Sequence, residues 1–250
     1  MLQSVAAIEG LIERGRIAAT SNTIGQPSYV ITANLNYCML HHNDAEVRRI
    51  TADADLILAD GQPIVWRSLL EPNPLPERVA GSEMILHLCE NAAQKGHRVY
   101  FLGGAEGVAE ACAARLTELF PELQVAGTDC PPFRQLTPNE HAAQLRRIRN
   151  ANTDLLFVAF GQPKGERWIH ENYRELGVPV SIQLGASFDF IAGTAVRAPE
   201  IYQRLGVEWL YRMLSDPKRL MPRYGANAWF LLKALASDWH RQVIRWGMWQ

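Results

Sequence analysis

The chain has only four cysteines, Cys38, Cys89, Cys112 and Cys130, and no two of them stand in a CxxC pair. That spacing argues against a zinc site or a dithiol redox pair and reads as free thiols in a reducing cytoplasm. Long apolar runs are missing too: no uncharged stretch approaches the roughly 20 residues that span a bilayer, and no basic, apolar and small-residue leader opens the sequence. The expectation is a protein neither secreted nor threaded through a membrane. Nor is there an excess of one charge. The 25 Lys and Arg against 26 Asp and Glu leave a formal net charge of -1, which gives no global case for nucleic acid. Any electrostatic partner must be met locally. The histidines, His41-His42 included, fall at no metal-ligand spacing, and no internal repeat or low-complexity segment is visible.

What is present is the composition of a soluble enzyme, 48% hydrophobic and 20% charged in 250 residues, enough chain to bury a sizeable core. Residues 4–15 read as an amphipathic helix, and the stretch 28–37 opens with the β-branched and aromatic character of a strand. A helix at about 44–52 leads to a strand that ends at Asp60. Ser82 to Gly96 has helical spacing, with Ser82 as N-cap and Gly96 as stop. Then HRVYFLGG, LQVAGT, DLLFVAFG and VPVSIQLG read as strands, separated by helical stretches, one of them capped near Thr137 or Asn139. Strands that are apolar throughout and alternate with helices of ten or more residues mark a parallel sheet covered on both faces. The expected fold is α/β: a Rossmann-like, doubly wound, mostly parallel sheet over residues 1–197, with a helical C-terminal appendage over 198–250.

In such sheets ligands bind beyond the carboxyl ends of the strands. The stretch LILADGQPIVW (56–66) puts Asp60 at that address, followed by Gly61 and Pro63. Asp-Gly alone is ordinary turn chemistry. Yet Thr32 and Asn34, Gly103-Gly104, Gly161-Gln162-Pro163 and the stretch 185–189 share the position, and five polar or glycine-bearing strand ends make a site more economical than five unrelated turns. FLGGAEGVAE resembles a phosphate-binding turn but is not GxGxxG, and no acid follows where a ribose would need one. A nicotinamide oxidoreductase is therefore the weaker reading. Asp53-Ala54-Asp55 has the spacing of a divalent-metal clamp, which keeps a metal-dependent nucleotide-sugar transferase open as an alternative; it precedes the apolar strand, so it belongs to the opposite edge of the sheet. Arg78, between a Pro-rich loop and a helix, reads equally as a surface charge or as a cation aimed at phosphate.

The last fifty residues differ in kind. From Arg197 on, Arg197, Arg204, Arg212, Lys218, Arg219, Arg223, Lys233, Arg241 and Arg245 stand against Glu200, Glu208, Asp216 and Asp238, a net of five positives. Trp209, Trp229, Trp239, Trp246 and Trp249 lie among them. Aromatic residues interleaved with Arg and Lys on helices suit an interfacial segment on an anionic leaflet, each cation there contributing about 1 kcal/mol. A helical hairpin with its tryptophans packed inside is the alternative.

Seven motifs in one order, TANLNY, LADGQPIVW, ERVAGSE, VYFLGG, FGQPKGERW, LGASFDFIAGTAVRAP and LGVEWLYRMLSDPKR, resemble the WecG/TagA/CpsF glycosyltransferases (glycosyltransferase family 26) over about residues 28–224. The resemblance implies transfer of a hexosyl or N-acetylhexosaminyl group from a UDP-sugar to a polyprenyl-diphosphate-linked saccharide, with inversion and without a required metal or cofactor. It places the enzyme in the cytoplasm, peripheral on the inner face of the cytoplasmic membrane and docked on the anionic leaflet through the appendage; nucleic acid is not a partner, and a homo-oligomer is left open. By the same resemblance Asp60 is the general base. Arg78, Arg212 and Arg219 match cationic active-site positions, and Thr32, Asn34, Asp189, Arg197 and Arg223 match further positions of the family's motifs; the strand-end residues Gly61, Gly103, Gly104, Gly161, Gln162 and Pro163, read from their place in the sheet, complete the binding set. An inverting transfer needs one base and a counter to the charge developing on the leaving diphosphate, which cations can supply in place of a metal. The chain departs from the family at Gly165, where Gln is usual, at Pro222, where a further Arg is common, and at CPPF (130–133).

Overall fold

A computed structural model describes residues 1–20 and 26–247, with the side chains of 17–20, 203, 204, 219 and 240–247 outside the described set. Its strands are β1 (Ser28–Ala33), β2 (Leu56–Ala59), β3 (Arg98–Gly103), β4 (Gln124–Asp129), β5 (Leu155–Ala159) and β6 (Val180–Gln183). They form one sheet in the order β2-β1-β6-β5-β3-β4, and β1–β6, β6–β5, β5–β3 and β3–β4 all run parallel. The fold is the Rossmann-like α/β arrangement expected from the alternation of strands and helices.

Successive side chains of a strand point to opposite faces, and here both faces are buried. Val99, Phe101, Leu155, Phe157, Val180 and Ile182 enter the core beneath α1 (Leu2–Thr20), α5 (Gly81–Lys95), α6 (Val108–Leu119) and α9 (Ser187–Ala192). Phe101 meets Phe157 and Phe188 with ring centroids 5.6 Å apart. The alternate residues Tyr29, Tyr100, Leu102, Leu156 and Val158 are buried on the other face, which α3 (Ala45–Ala52), α7 (Pro138–Asn150) and α8 (Lys164–Leu176) cover. That is why the central strands read as continuous apolar runs. β4 is the exception. It is an edge strand, exposed or half-buried along its length.

Local chemistry sets the ends of the elements. Thr137 caps α7 through a reciprocal box with Glu140, and Gly96 stops α5 in the left-handed region at φ 68°. Ser82 is not the N-cap expected for α5: that position is Ala80, and Ser82 lies buried inside the helix. β1 ends at Ala33, where Thr32 and Asn34 marked a strand end, and Asn34 then caps a helix that the sequence reading did not include, α2 (Leu35–Asn43), by accepting from the Tyr37 amide at 3.1 Å. At the other end of the sheet, the buried His97 links α1 to β3. Arg16 Nη1 can only donate, so the Nδ1 it meets at 2.6 Å accepts and Nε2–H donates to Glu9 at 2.7 Å.

The chain divides into two compact units. One comprises Met1–Thr32, Ala45–Leu58 and Val79–Val196; the other comprises Ala33–Asp44, Ala59–Arg78 and Arg197–Gln250. Two segments that follow β1 and β2 thus group with the C-terminal segment.

Candidate active site

The smaller unit contains Asn34, Asp60, Gly61, Arg78, Arg197, Arg212, Arg219 and Arg223. Asp60 leaves β2 on a fixed backbone: its amide donates to the Ala33 carbonyl at 2.7 Å. Gly61 then caps α4 (Gln62–Ser68), with Pro63 in the first turn, where its missing N–H costs nothing. A Cβ on Gly61 would lie 3.4 Å from Asn34 Cα and Cβ, so the TANLNY and LADGQP motifs touch at these two residues. The side chain of Asp60 is half-buried.

C-terminal residues hold this loop. Gly206, at φ 70°, packs so closely on Gln62 that a Cβ there would overlap its side chain. Arg67 of α4 donates Nε to Asp238 Oδ2 at 2.7 Å and Nη2 to Oδ1 at 3.2 Å, and the pair holds the guanidinium above its ordinary range. Asp238 belongs to α12 (Pro217–Gly247) and is 5% exposed. Arg78 approaches Glu208 of α11 (Glu208–Ser215) at 3.7 Å. Arg212 is half-buried in the last turn of α11, Arg197 is half-buried, and Arg223 is exposed on α12. The side chain of Arg219 lies outside the described residues, as do those of Arg241, Arg245 and Trp246, and Trp249 lies outside them altogether.

The sheet-bearing unit contains the remaining strand ends. Thr32 is 4% exposed, and its hydroxyl donates to the Gln183 carbonyl at 2.8 Å. Gln162 Nε2 donates to the Thr32 carbonyl at 3.1 Å. The Gln183 side chain accepts from the Gly185 amide. Gly165 explains itself here: a Cβ at that position would meet Gln183 Cγ at 2.5 Å and Cδ at 2.9 Å. The Gln183 side chain fills the space that a side chain at position 165 would need.

Gly103 sits at φ 109°, where a Cβ would lie 2.9 Å from the Ala159 carbonyl, and the Gly104 amide donates to that carbonyl at 3.1 Å. At the adjoining start of α6, Cys130 Sγ stands 3.4 Å from both the Gly103 carbonyl and the Glu110 carboxylate, and burial pushes the thiol up. An acid at that helix start opposes a bound anion. Gly161 turns at φ 74° ahead of a cis Gln162–Pro163 bond. Asp189 organises the turn after α9, its carbonyl accepting from the Ala195 amide at 3.2 Å and its carboxylate lying 3.3 Å from the Thr194 hydroxyl.

Both carboxylates of the DxD stretch have structural partners at the amino end of β2. Asp53 meets His170 Nε2 at 2.9 Å, and Asp55 accepts from the Tyr29 amide at 3.1 Å. Among the described residues no three His, Cys, Asp or Glu side chains cluster as a metal site would need.

Sequence reasoning passed over Arg67, Asp238, Glu166 and Gln183. Glu166 stands within the GQPKGE motif, and Gln183 is a polar residue closing the strand VSIQ, which were the available signals. Glu166 is 1% exposed in the first turn of α8, and burial pushes its carboxyl up to about 7. Neither oxygen meets a donor at hydrogen-bonding geometry, although the Gln162 side chain and the residue's own amide lie near enough to offset part of the desolvation.

On α12, Met221, Trp229, Leu232 and Trp239 are 56%, 61%, 60% and 72% exposed. Their spacing places them on one helical face. Lys233 Nζ lies 5.1 Å from the centroid of the Trp229 ring. Among the described residues no helix is long and apolar enough to cross a membrane.

The Glycosyl transferase WecG/TagA/CpsF family matches residues 6–243. An N-acetylglucosaminyldiphosphoundecaprenol N-acetyl-beta-D-mannosaminyltransferase from Bacillus spizizenii is 31% identical over 192 residues, 77% of this chain and 73% of its own. Its namesake in Bacillus subtilis (strain 168) is 31% identical over 201 residues, 78% and 76% of the two chains. The one from Staphylococcus aureus (strain MW2) is 32% identical over 197 residues, 77% and 74%.

Proposed function

Given that this chain belongs to the WecG/TagA/CpsF glycosyltransferase family, we propose that it transfers an N-acetylhexosaminyl or hexosyl group from a UDP-sugar to a polyprenyl-diphosphate-linked saccharide, with inversion at the anomeric carbon. The relatives' names favour a GlcNAc-diphosphate-prenol acceptor and an N-acetylmannosaminyl donor. One observation carries the assignment of roles. Asp60 sits on a turn fixed by Ala33 and Asn34, in the same compact unit as Arg78, Arg212, Arg219 and Arg223.

In this reading Asp60 takes the proton from the acceptor hydroxyl as that oxygen attacks the anomeric carbon and the C1–O bond to UDP breaks. The departing diphosphate keeps the electron pair, and the arginines offset its charge. A carboxylate fits this duty because its backbone is already held, so little reorganisation is needed at the moment of reaction. In this reading Thr32, Gly161, Gln162, Pro163, Asp189 and the Gly103-Gly104 turn, all strand-end residues, are donor-binding positions.

The appendage docks on the anionic leaflet. The exposed stripe of Met221, Trp229, Leu232 and Trp239 supports this, since tryptophan buried inside a hairpin would not be more than half exposed. The protein then works as a peripheral enzyme on the inner face of the membrane, where the lipid-linked acceptor is found. The test is to offer a panel of UDP-sugars with short-chain prenyl-diphosphate GlcNAc and glucose and to follow UDP. Release that depends on both substrates, with and without EDTA, is expected. No release from any pair overturns the reading, and loss with EDTA returns the metal alternative.

A further inference from the structure

β6 closes on a carboxamide, Gln183, of which only one end is used. The residue is 1% exposed. Its Oε1 accepts from the Gly185 amide two residues on, so the side chain turns along the loop that leaves the sheet. Its Nε2 donates to no described residue. Two polar groups close by in the fold do not take that donor either. Ser181 Oγ, on the same face of β6, and both carboxyl oxygens of Glu166, next in the chain to Gly165, have no hydrogen-bond partner.

The amide is held at the carboxyl end of the sheet from three sides. Thr32 Oγ1 of β1 donates to the Gln183 carbonyl at 2.8 Å, and the Leu184 amide donates to the Val158 carbonyl of β5 at 2.9 Å. On α8, Gly165 leaves it room: a Cβ there would lie 2.5 Å from Gln183 Cγ and 3.1 Å from Nε2. A buried N–H without an acceptor costs stability, and a methionine would fill the same length without that cost. At a strand end, where ligands bind in sheets of this kind, such a group calls for an acceptor that arrives with the ligand. The residues in these contacts, Thr32, Gly165 and Gly185, bring no cation. The matching acceptor is therefore a neutral carbonyl or hydroxyl oxygen rather than a phosphate.

We propose that Gln183 is a substrate contact of the transfer: its Nε2–H donates to a neutral oxygen of the UDP-sugar, on the sugar or on the uracil ring. This rests on the transferase reading given above. A donor of this kind discriminates, because a ligand without the matching oxygen leaves the buried N–H unpaired.

The experiment measures binding of UDP, UDP-glucose and UDP-N-acetylmannosamine to the full chain by titration calorimetry, for the parent, Gln183→Met and Gln183→Glu, with melting temperatures alongside. Gln183→Met keeps the length of the side chain and removes both polar ends. Gln183→Glu keeps an oxygen for the Gly185 amide and replaces the NH2 group by a second oxygen. Both should stay folded and bind at least one of these ligands about 5- to 10-fold more weakly, the size of one hydrogen bond. A loss already present with UDP assigns the contact to the base, and a loss confined to the two sugar nucleotides assigns it to the sugar. In the parent, the Gln183 side-chain amide resonances should move on saturation, a readout that needs no variant. Resonances that stay in place, or equal binding by parent and folded variants, overturn the proposal. So does a loss in Gln183→Met that Gln183→Glu escapes, since that pattern belongs to the Gly185 bond alone. A parent that binds none of the three removes the transferase reading, whereas a parent that binds while the variants bind equally removes only the role of Gln183.

Discussion

Arg67 and Asp238, 171 residues apart, are joined by a two-pronged hydrogen-bonded ion pair with Nε to Oδ2 at 2.7 Å. It fastens α12 to α4, whose N-cap follows Asp60 directly in the chain. The side chain of Asp238 is 6% exposed and that of Arg67 36%, so removal of the arginine leaves the deeper of the two charges without its guanidinium.

Arg67→Ala should therefore destabilise the protein by about 2–3 kcal/mol, at or below the usual range for breaking a buried pair because Arg67 is partly solvated. Arg67→Leu with Asp238→Leu should recover most of the loss. Denaturant midpoints for the two singles and the double would measure the coupling, and additive losses would deny that the pair acts as a unit.

Asp60→Asn keeps the size of the side chain and removes its basicity. Turnover should drop by about 100- to 10,000-fold, as is typical when a general base is lost, with the circular dichroism spectrum and melting temperature unchanged. A folded variant with near-normal UDP release would remove Asp60 from that role.

Glu166 gives a pH dependence whose sign is fixed. Its folded-state value, about 7, lies above the ordinary 4.5, so between those values the native state holds a proton that the unfolded chain has released. Stability contributed by this group falls as pH rises through that window and is flat above it. The loss amounts to at most about 3 kcal/mol. Glu166→Gln should be stabilised relative to the parent more at pH 8 than at pH 5 in urea unfolding; an equal difference at both would contradict the burial argument.

Gly165→Gln, which installs the residue that the family resemblance implies there, should lower stability by about 1–3 kcal/mol through overpacking against Gln183. The same change made with Gln183→Ala should cost less. Melting temperatures of the four combinations would show whether the two positions share one space.

Trp229→Ala with Trp239→Ala removes exposed rings and should leave the melting temperature nearly unaltered while weakening sedimentation with vesicles containing anionic phospholipid. Equal binding by the variant would take the stripe out of membrane docking. These substitutions are cleaner than deleting residues after 197, which would also remove Asp238 and Glu208, the partners of Arg67 and Arg78.

Much of this was legible along the chain. Period and composition reveal β3, β5 and β6, because strands buried on both faces are predominantly apolar, Ser181 and Gln183 of β6 being buried polar exceptions. The helix α2 behind β1 was not legible, since its start depends on Asn34 accepting from the Tyr37 amide. Ser82 misled because a residue that suits a cap was buried at the second position of the helix, with Ala80 at the cap. Asp60 could be located because its carboxylate closes an apolar strand beside Gly61.

Sequence alone settled which residues could carry charge or accept a proton and, through the alternation of strands and helices, which of them would stand where strands end. Only the folded molecule settled what each one touches. The Arg67–Asp238 pair, the Gln183 side chain filling the space at Gly165 and the unmatched burial of Glu166 all join residues far apart in the chain or depend on what surrounds them. Side-chain period and capping are local properties, whereas hydrogen-bond partners and desolvation depend on which distant segments pack together.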